Sequence, residues 1–149
     1  MHQVDADWDH PTDPEPGWKL DHVREYVETA GAAGHIWHGV PTLLLTTLGR
    51  VSGRAVRTPL IYGEDPDDGR YILVASAGGA AEHPHWYRNL DAEPEVRVQI
   101  GPKVFQAKAR TATPDEREVY WGLMTGLWPQ YDDYQARTDR EIPLVIVER

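Results

Sequence analysis

Three arginines stand close together in the segment Gly49-Arg50-Val51-Ser52-Gly53-Arg54-Ala55-Val56-Arg57-Thr58. Guanidinium groups are planar forks that suit phosphate and carboxylate oxygens. Gly49 and Gly53 permit a tight turn that leaves backbone N–H groups exposed. Ser52 and Thr58 add hydroxyl donors. The natural ligand of such a loop is the anionic tail of a small molecule. The competing reading is a polar loop whose arginines are simply solvated. No Gly-Lys-Ser/Thr follows, so it is not a nucleotide P-loop, and a strand pattern rather than a helix comes after it, so it is not a dinucleotide fingerprint.

A second segment ends a strand in small residues, Ala75-Ser76-Ala77-Gly78-Gly79-Ala80, and continues as His83-Pro84-His85-Trp86-Tyr87-Arg88-Asn89-Leu90. A flat ligand could lie against the exposed backbone of the small residues. Pro84 suits the first turn of a helix, whose free N–H groups would face an electron-rich ring. A surface loop followed by an ordinary aromatic helix remains the alternative. Further on, Tyr120, Trp121, Met124, Trp128, Tyr131 and Tyr134 could roof a substrate. Tyr120, Met124 and Trp128 fall at helical spacing, which suits core packing equally. Tyr131 and Tyr134 follow Pro129 in the polar stretch QYDDYQART, so they are expected at a pocket mouth with wet hydroxyls.

The charge distribution supports a local anion site. The net charge is −9, which argues against nucleic acid as a partner. Residues 1–30 carry the carboxylates Asp5, Asp7, Asp9, Asp13, Glu15, Asp21, Glu25 and Glu28, whereas residues 31–63 carry none and hold all three loop arginines. There are no cysteines, so thiolate chemistry and disulfides are excluded. His35 with His38 and His83 with His85 do not complete the three or four convergent ligands of a metal site. No apolar run is long enough to span a membrane, and the acidic start lacks the pattern of a secretory signal, so a cytoplasmic protein is expected.

These features need a scaffold. Residues 1–18, with Pro11, Pro14 and Pro16, read as a flexible acidic arm, and residues 19–149 as one domain. Asp21 is expected to cap a helix from His22 to Ala33. Strands are expected at Pro41–Thr47, Thr58–Glu64, Arg70–Ser76, Glu95–Ile100, Val104–Thr111 and Ile142–Val147, mostly joined by tight turns. Thr113 and Glu116 form a capping-box pattern for a helix to Leu127, which Trp128-Pro129 breaks. About six antiparallel strands with flanking helices make an α+β protein built on a barrel.

The stretches TLGRVSGRAVRTPL and YILVASAGGAAEHPHWYRNLDAEPEVRVQIG resemble the deazaflavin-dependent nitroreductase family over roughly residues 40–113. The resemblance implies an FMN-binding-like split β-barrel that binds coenzyme F-420. On matching positions it implies that Arg50, Ser52, Arg54, Arg57 and Thr58 hold the phosphate and acidic tail. Pro59, Ala75, Ser76, Ala77, Gly78, Gly79, Ala80, Trp86 and Asn89 would surround the deazaflavin ring. The family often has lysine where this chain has Val51, so one cationic contact is missing. The implied activity is hydride transfer to a small electron acceptor, such as a quinone, enone or nitro compound. Tyr131 and Tyr134 are the candidate proton donors. An FMN-dependent oxidoreductase and a non-catalytic F-420 carrier are the alternatives.

Overall fold

A computed structural model describes residues 7–149. Eight strands form one antiparallel sheet: β1 Ile36–Trp37, β2 Val40–Leu48, β3 Ala55–Ile61, β4 Gly63–Asp65, β5 Arg70–Val74, β6 Glu95–Ile100, β7 Lys103–Thr111 and β8 Leu144–Glu148. The helices are α1 Trp18–Glu28, α2 His85–Ala92, α3 Pro114–Leu127 and α4 Gln130–Ala136. The order across the sheet is β1-β2-β6-β7-β8-β5-β4, with β3 also paired to β2. β3 and β4 are separated by Tyr62 alone, so this bent segment pairs with β2 at one edge and with β5 at the other. The sheet therefore curls into the expected split barrel. Among the described residues no helix is long and apolar enough to cross a membrane.

Strand periodicity sorts the side chains into layers. Leu43, Leu45, Leu73, Val96, Val98, Val145 and Val147 point into the barrel. Their neighbours Ile72, Val74, Leu144 and Ile146 face outward and pack with Tyr120, Met124 and Tyr131 under α3 and α4. Both faces of β5 and β8 are thus covered, which is why these strands read as continuous apolar runs rather than alternations. Leu44 faces outward against Val23 and Tyr26 of α1. The Tyr26 hydroxyl donates to the Thr42 carbonyl at 3.0 Å and accepts from the Gly101 N–H at 2.8 Å, tying α1 across the sheet.

Several boundaries differ from the sequence reading. The helix expected over His22–Ala33 starts earlier and stops earlier: Gly17 is its N-cap and Asp21 lies in its first turn. The chain leaves it through positive φ at Ala30 and Gly31. Gly31 packs on Gly101 so closely that a Cβ there would overlap the Gly101 backbone. β1 was not expected. It forms a hairpin with β2 around His38 and Gly39, both at positive φ, as a two-residue primed turn requires. The Thr113–Glu116 capping box of α3 is present as expected, with both reciprocal bonds.

The acidic segment before α1 lies on the barrel where it is described. Thr12 N donates to Ala55 O at 2.8 Å, and Arg57 N donates to Thr12 O at 2.9 Å. Arg97 reaches Asp9 and covers the Trp8 ring. Residues 1–6 of the expected flexible arm fall outside the described residues.

Candidate functional site

A cavity of about 530 Å³ opens between the bent β3 strand, the turn after β5 and helices α1, α2 and α4. This size suits a cofactor ring with a small substrate beside it. Both singled-out segments meet here. Thr58 and Pro59 line it from β3, Ser76, Ala77 and Gly78 from the turn, and Trp86 and Asn89 from α2. The buried Asn89 joins the two segments. Its side-chain oxygen accepts from Arg50 N at 3.2 Å and from Arg50 Nη1 at 2.9 Å, while its Nδ2 donates to Thr47 Oγ1 at 3.1 Å.

The three loop arginines have different surroundings. Arg50 is held by Asn89 and lies 3.3 Å from His85 Nδ1. Arg57 lines the cavity but makes a bidentate pair with Asp13, at 2.7 and 3.0 Å. The Arg54 side chain has no partner among the described residues, whereas its backbone N–H donates to Ser52 Oγ at 3.1 Å. The loop is a closed turn, with Gly49 N to Arg54 O and Gly53 N to Gly49 O both at 2.8 Å. Val51 is almost fully exposed on it. Arg50, Ser52 and Arg54 sit beside the cavity rather than in its lining.

The small-residue segment forms a single 3-10 turn, Ala77–Gly79. Gly79 lies so close to α4 that a Cβ would stand 2.6 Å from the Tyr134 carbonyl. Ala75, Gly79 and Ala80 therefore form the back of the turn, and Ser76, Ala77 and Gly78 its cavity face.

Tyr131 and Tyr134 both line the cavity, but not as a wet polar stretch would place them. They stand on α4, and Tyr131 is buried at 5% exposure in the outer core. Burial raises its hydroxyl pKa well above the usual phenol range. The Tyr134 hydroxyl accepts from Trp128 Nε1 at 3.4 Å.

Trp128, expected as part of a roof, joins a wall whose other two rings escaped the sequence reading. Trp18 stacks on Trp37 at 5.4 Å and 13°, and Trp37 meets Trp128 at 5.5 Å. These rings come from α1, β1 and the α3–α4 break, so no spacing within one segment could join them. His22 lies beside Trp37 with Nε2 donating to Gly34 O at 2.8 Å, and its buried Nδ1 has no partner. Arg140 was missed too. It bonds the backbone of the small-residue turn from the far end of the chain.

The donor set and shape fit a flat ring with an anionic tail. Small residues leave one wall open to a ring face, aromatic side chains cover another, and the arginine loop, whose Arg54 side chain is unpaired among the described residues, adjoins the cavity through Arg57 and Thr58.

Comparison with known proteins bears on the same residues. The family described as F420H(2)-dependent quinone reductase matches residues 18–149. An F420H(2)-dependent quinone reductase of Mycobacterium tuberculosis is 37% identical over 132 residues, covering 86% of this chain and 87% of the relative. A solved F420-H2 dependent reductase is 45% identical, with a TM-score of 0.66, over 72% of this chain and 94% of the other. A solved domain-swapped dimer is 41% identical, with a TM-score of 0.69, over 86% of this chain and 98% of the other.

Proposed function

Because the chain belongs to the F420H(2)-dependent quinone reductase family, we propose that it transfers a hydride from reduced coenzyme F-420 to a quinone. The observation that carries the reading is a cavity on which both family-like segments converge. Enones and nitro compounds are electron-poor in the same way and form the wider acceptor class. The reaction belongs in the cytoplasm, where a diffusible reduced cofactor is at hand.

When bound, reduced F-420 supplies the hydride, and the protein supplies orientation and a dry site. Arg50, Ser52, Arg54, Arg57 and Thr58 take the phosphate and the acidic tail. Pro59, Ser76, Ala77, Gly78, Trp86 and Asn89 would hold the ring, with Ala75, Gly79 and Ala80 supporting the turn from behind. Of the arginines, Arg54 is free to bind directly, and Arg57 must share itself with Asp13. The aromatic wall of Trp18, Trp37 and Trp128 excludes water from the opposite side. Tyr131 and Tyr134 are the candidate proton donors to the reduced acceptor. Burial raises the Tyr131 pKa, which makes its hydroxyl the weaker acid and leaves the less buried Tyr134 as the better-placed donor.

Titration of the protein with F-420, FMN and NADPH, followed by steady-state oxidation of reduced F-420 with a water-soluble quinone, tests the reading. Binding and turnover with F-420 are expected. FMN binding without F-420 binding would overturn the cofactor assignment. F-420 binding with no turnover on quinone, enone or nitro acceptors would make the protein a carrier. Tyr134→Phe should leave F-420 affinity nearly unchanged. A fall in kcat together with kcat/KM would then mark proton donation, whereas a changed KM alone would mark acceptor binding.

A further inference from the structure

We propose that Arg140 is a positioning residue that turns the Ser76–Ala80 segment into a preset anion-accepting wall for the cofactor ring. The inference rests on the F-420 reading above.

The Arg140 guanidinium donates to three backbone carbonyls of one short segment: Ser76 O at 2.6 Å, Ala80 O at 2.8 Å and Ala75 O at 3.2 Å. A fourth contact, at 2.9 Å, goes to His83 Nδ1. No carboxylate pairs with Arg140 among the described residues. Three of its four hydrogen bonds go to the backbone of a turn that lines the cavity, and its positive charge has no counter-ion among the described residues.

The conformation of the turn gives this arrangement a use. Ser76 is in the right-handed region, at φ −81° and ψ −36°, and Gly78 is left-handed, at φ 65° and ψ 18°. Ala77 between them has φ 46°, which a residue with a Cβ seldom adopts. A right-handed residue followed by left-handed ones gathers successive N–H groups on one side, a concavity that accepts anions. The N–H groups of Ala77 and Gly78 have no acceptor among the described residues. Both residues line the cavity. With the carbonyls of Ala75, Ser76 and Ala80 held by Arg140, the free N–H groups are the polar edge left for a ligand. Ala77 alone of these left-handed residues carries a Cβ and is costly there, so something must hold it. Arg140 does so from one side and the close contact of Gly79 with α4 from the other.

The ligand this wall suits is an electron-rich heterocycle that carries delocalised negative charge. A deazaflavin with an ionisable ring hydroxyl is one, since loss of that proton spreads charge over the ring. Fixed N–H dipoles above an uncompensated cation favour the charged form and require no reorganisation when it appears.

The test uses the full chain with F-420. Affinity is read from cofactor fluorescence, and the acidity of the bound ring from a pH titration of its absorbance. Arg140→Met should weaken F-420 by about tenfold to a hundredfold, as for loss of a charged hydrogen-bond set. The ring-hydroxyl titration should move to higher pH. Arg140→Lys should restore much of the titration midpoint, because the charge returns, but less of the affinity, because a single nitrogen cannot span carbonyls that the guanidinium reaches from three. Added guanidinium ion should partly restore binding in Arg140→Ala. Affinity and midpoint both within twofold of wild type in folded variants would overturn the proposal. So would losses with no shift in the midpoint and no rescue. Should the Met and Ala variants fail to fold, hydrogen exchange on the wild type decides: F-420 must protect the Ala77 and Gly78 amides, and their unaltered exchange would overturn the proposal. Failure of the wild type to bind F-420 at all would instead remove the functional reading.

Discussion

The arginine loop and the small-residue turn face the same cavity and solve opposite problems. The loop carries three positive charges of its own, yet two are already engaged: Arg57 by Asp13, and Arg50 by Asn89. The turn carries no charge at all, yet a guanidinium reaches it from some sixty residues away in sequence. One region looks more cationic in sequence than it is in the fold, and the other less. Charge at a site is a property of the folded neighbourhood, and partners remote in sequence can add or cancel it.

The largest effect that would break this contrast is expected at Gly79. Gly79→Ala would force a Cβ within 2.6 Å of the Tyr134 carbonyl at a backbone φ of 84°. Strain of this kind costs about 1–3 kcal/mol before any overlap is counted. A fall in Tm and loss of F-420 binding together are expected. An unchanged melting curve would mean that the turn and α4 are not coupled. Next comes Arg54→Ala, which removes the free cation and should weaken the intact cofactor by about 1.5–3 kcal/mol. A fragment without phosphate and glutamates should lose nothing. Equal losses for both would place Arg54 at the ring rather than the tail.

A smaller effect of opposite sign is expected at Asp13. Asp13→Asn releases Arg57 from a bidentate pair whose side chains are only 20% and 26% exposed. Freed, Arg57 can meet the anionic tail, and one repelling carboxylate is gone. Tighter F-420 binding with a steeper salt dependence should follow, because more of the affinity would then be electrostatic. Weaker binding would mean that Asp13 holds Arg57 in its useful orientation, and the arm would then be part of the site rather than a competitor for it.

The parts of the fold that the sequence foretold rest on local rules. The capping box at Thr113 and Glu116 needs only four residues, and the apolar runs of β2, β5 and β8 need only their own composition. The missed parts rest on signals that are short or remote. β1 has two residues, and its turn uses His38-Gly39 rather than Asn-Gly. α4 has seven residues, and Pro129, taken to end the preceding helix, is also its N-cap. Tyr131 and Tyr134 stand three apart, the spacing of one helix face, but the aspartates between them disguised it. At the site, the two motifs were legible as segments. Their linkage through Asn89 was not, nor was the Trp18–Trp37–Trp128 wall, because each depends on how separate elements meet.

The subtlest expected effect separates the two regions by pH. His83 accepts from Arg140 at Nδ1, which requires that this nitrogen carry no proton. Burial chiefly, then the nearby charges of Arg140 and Arg88, lower its pKa from the usual histidine value, and Asp91 opposes them. Tyr87 covers the ring edge at 5.0 Å and adds no charge near neutrality. A lowered pKa means that the folded protein favours neutral His83. The corresponding stability is complete above the unfolded value, near 6.5, and is lost as pH falls from there through the lower folded value. Protonation would set a second cation against Arg140 and loosen the turn, whereas residues 49–58 of the arginine loop include no histidine. F-420 affinity should therefore fall as pH drops through the lowered His83 value, below the usual histidine range, more than Arg54 and its tail contact can explain. His83→Gln, which keeps a neutral acceptor, should flatten that part of the profile while leaving the affinity near pH 8 close to wild type. The same acid limb in wild type and His83→Gln would assign it to the cofactor's own titration and remove His83 from the turn's support.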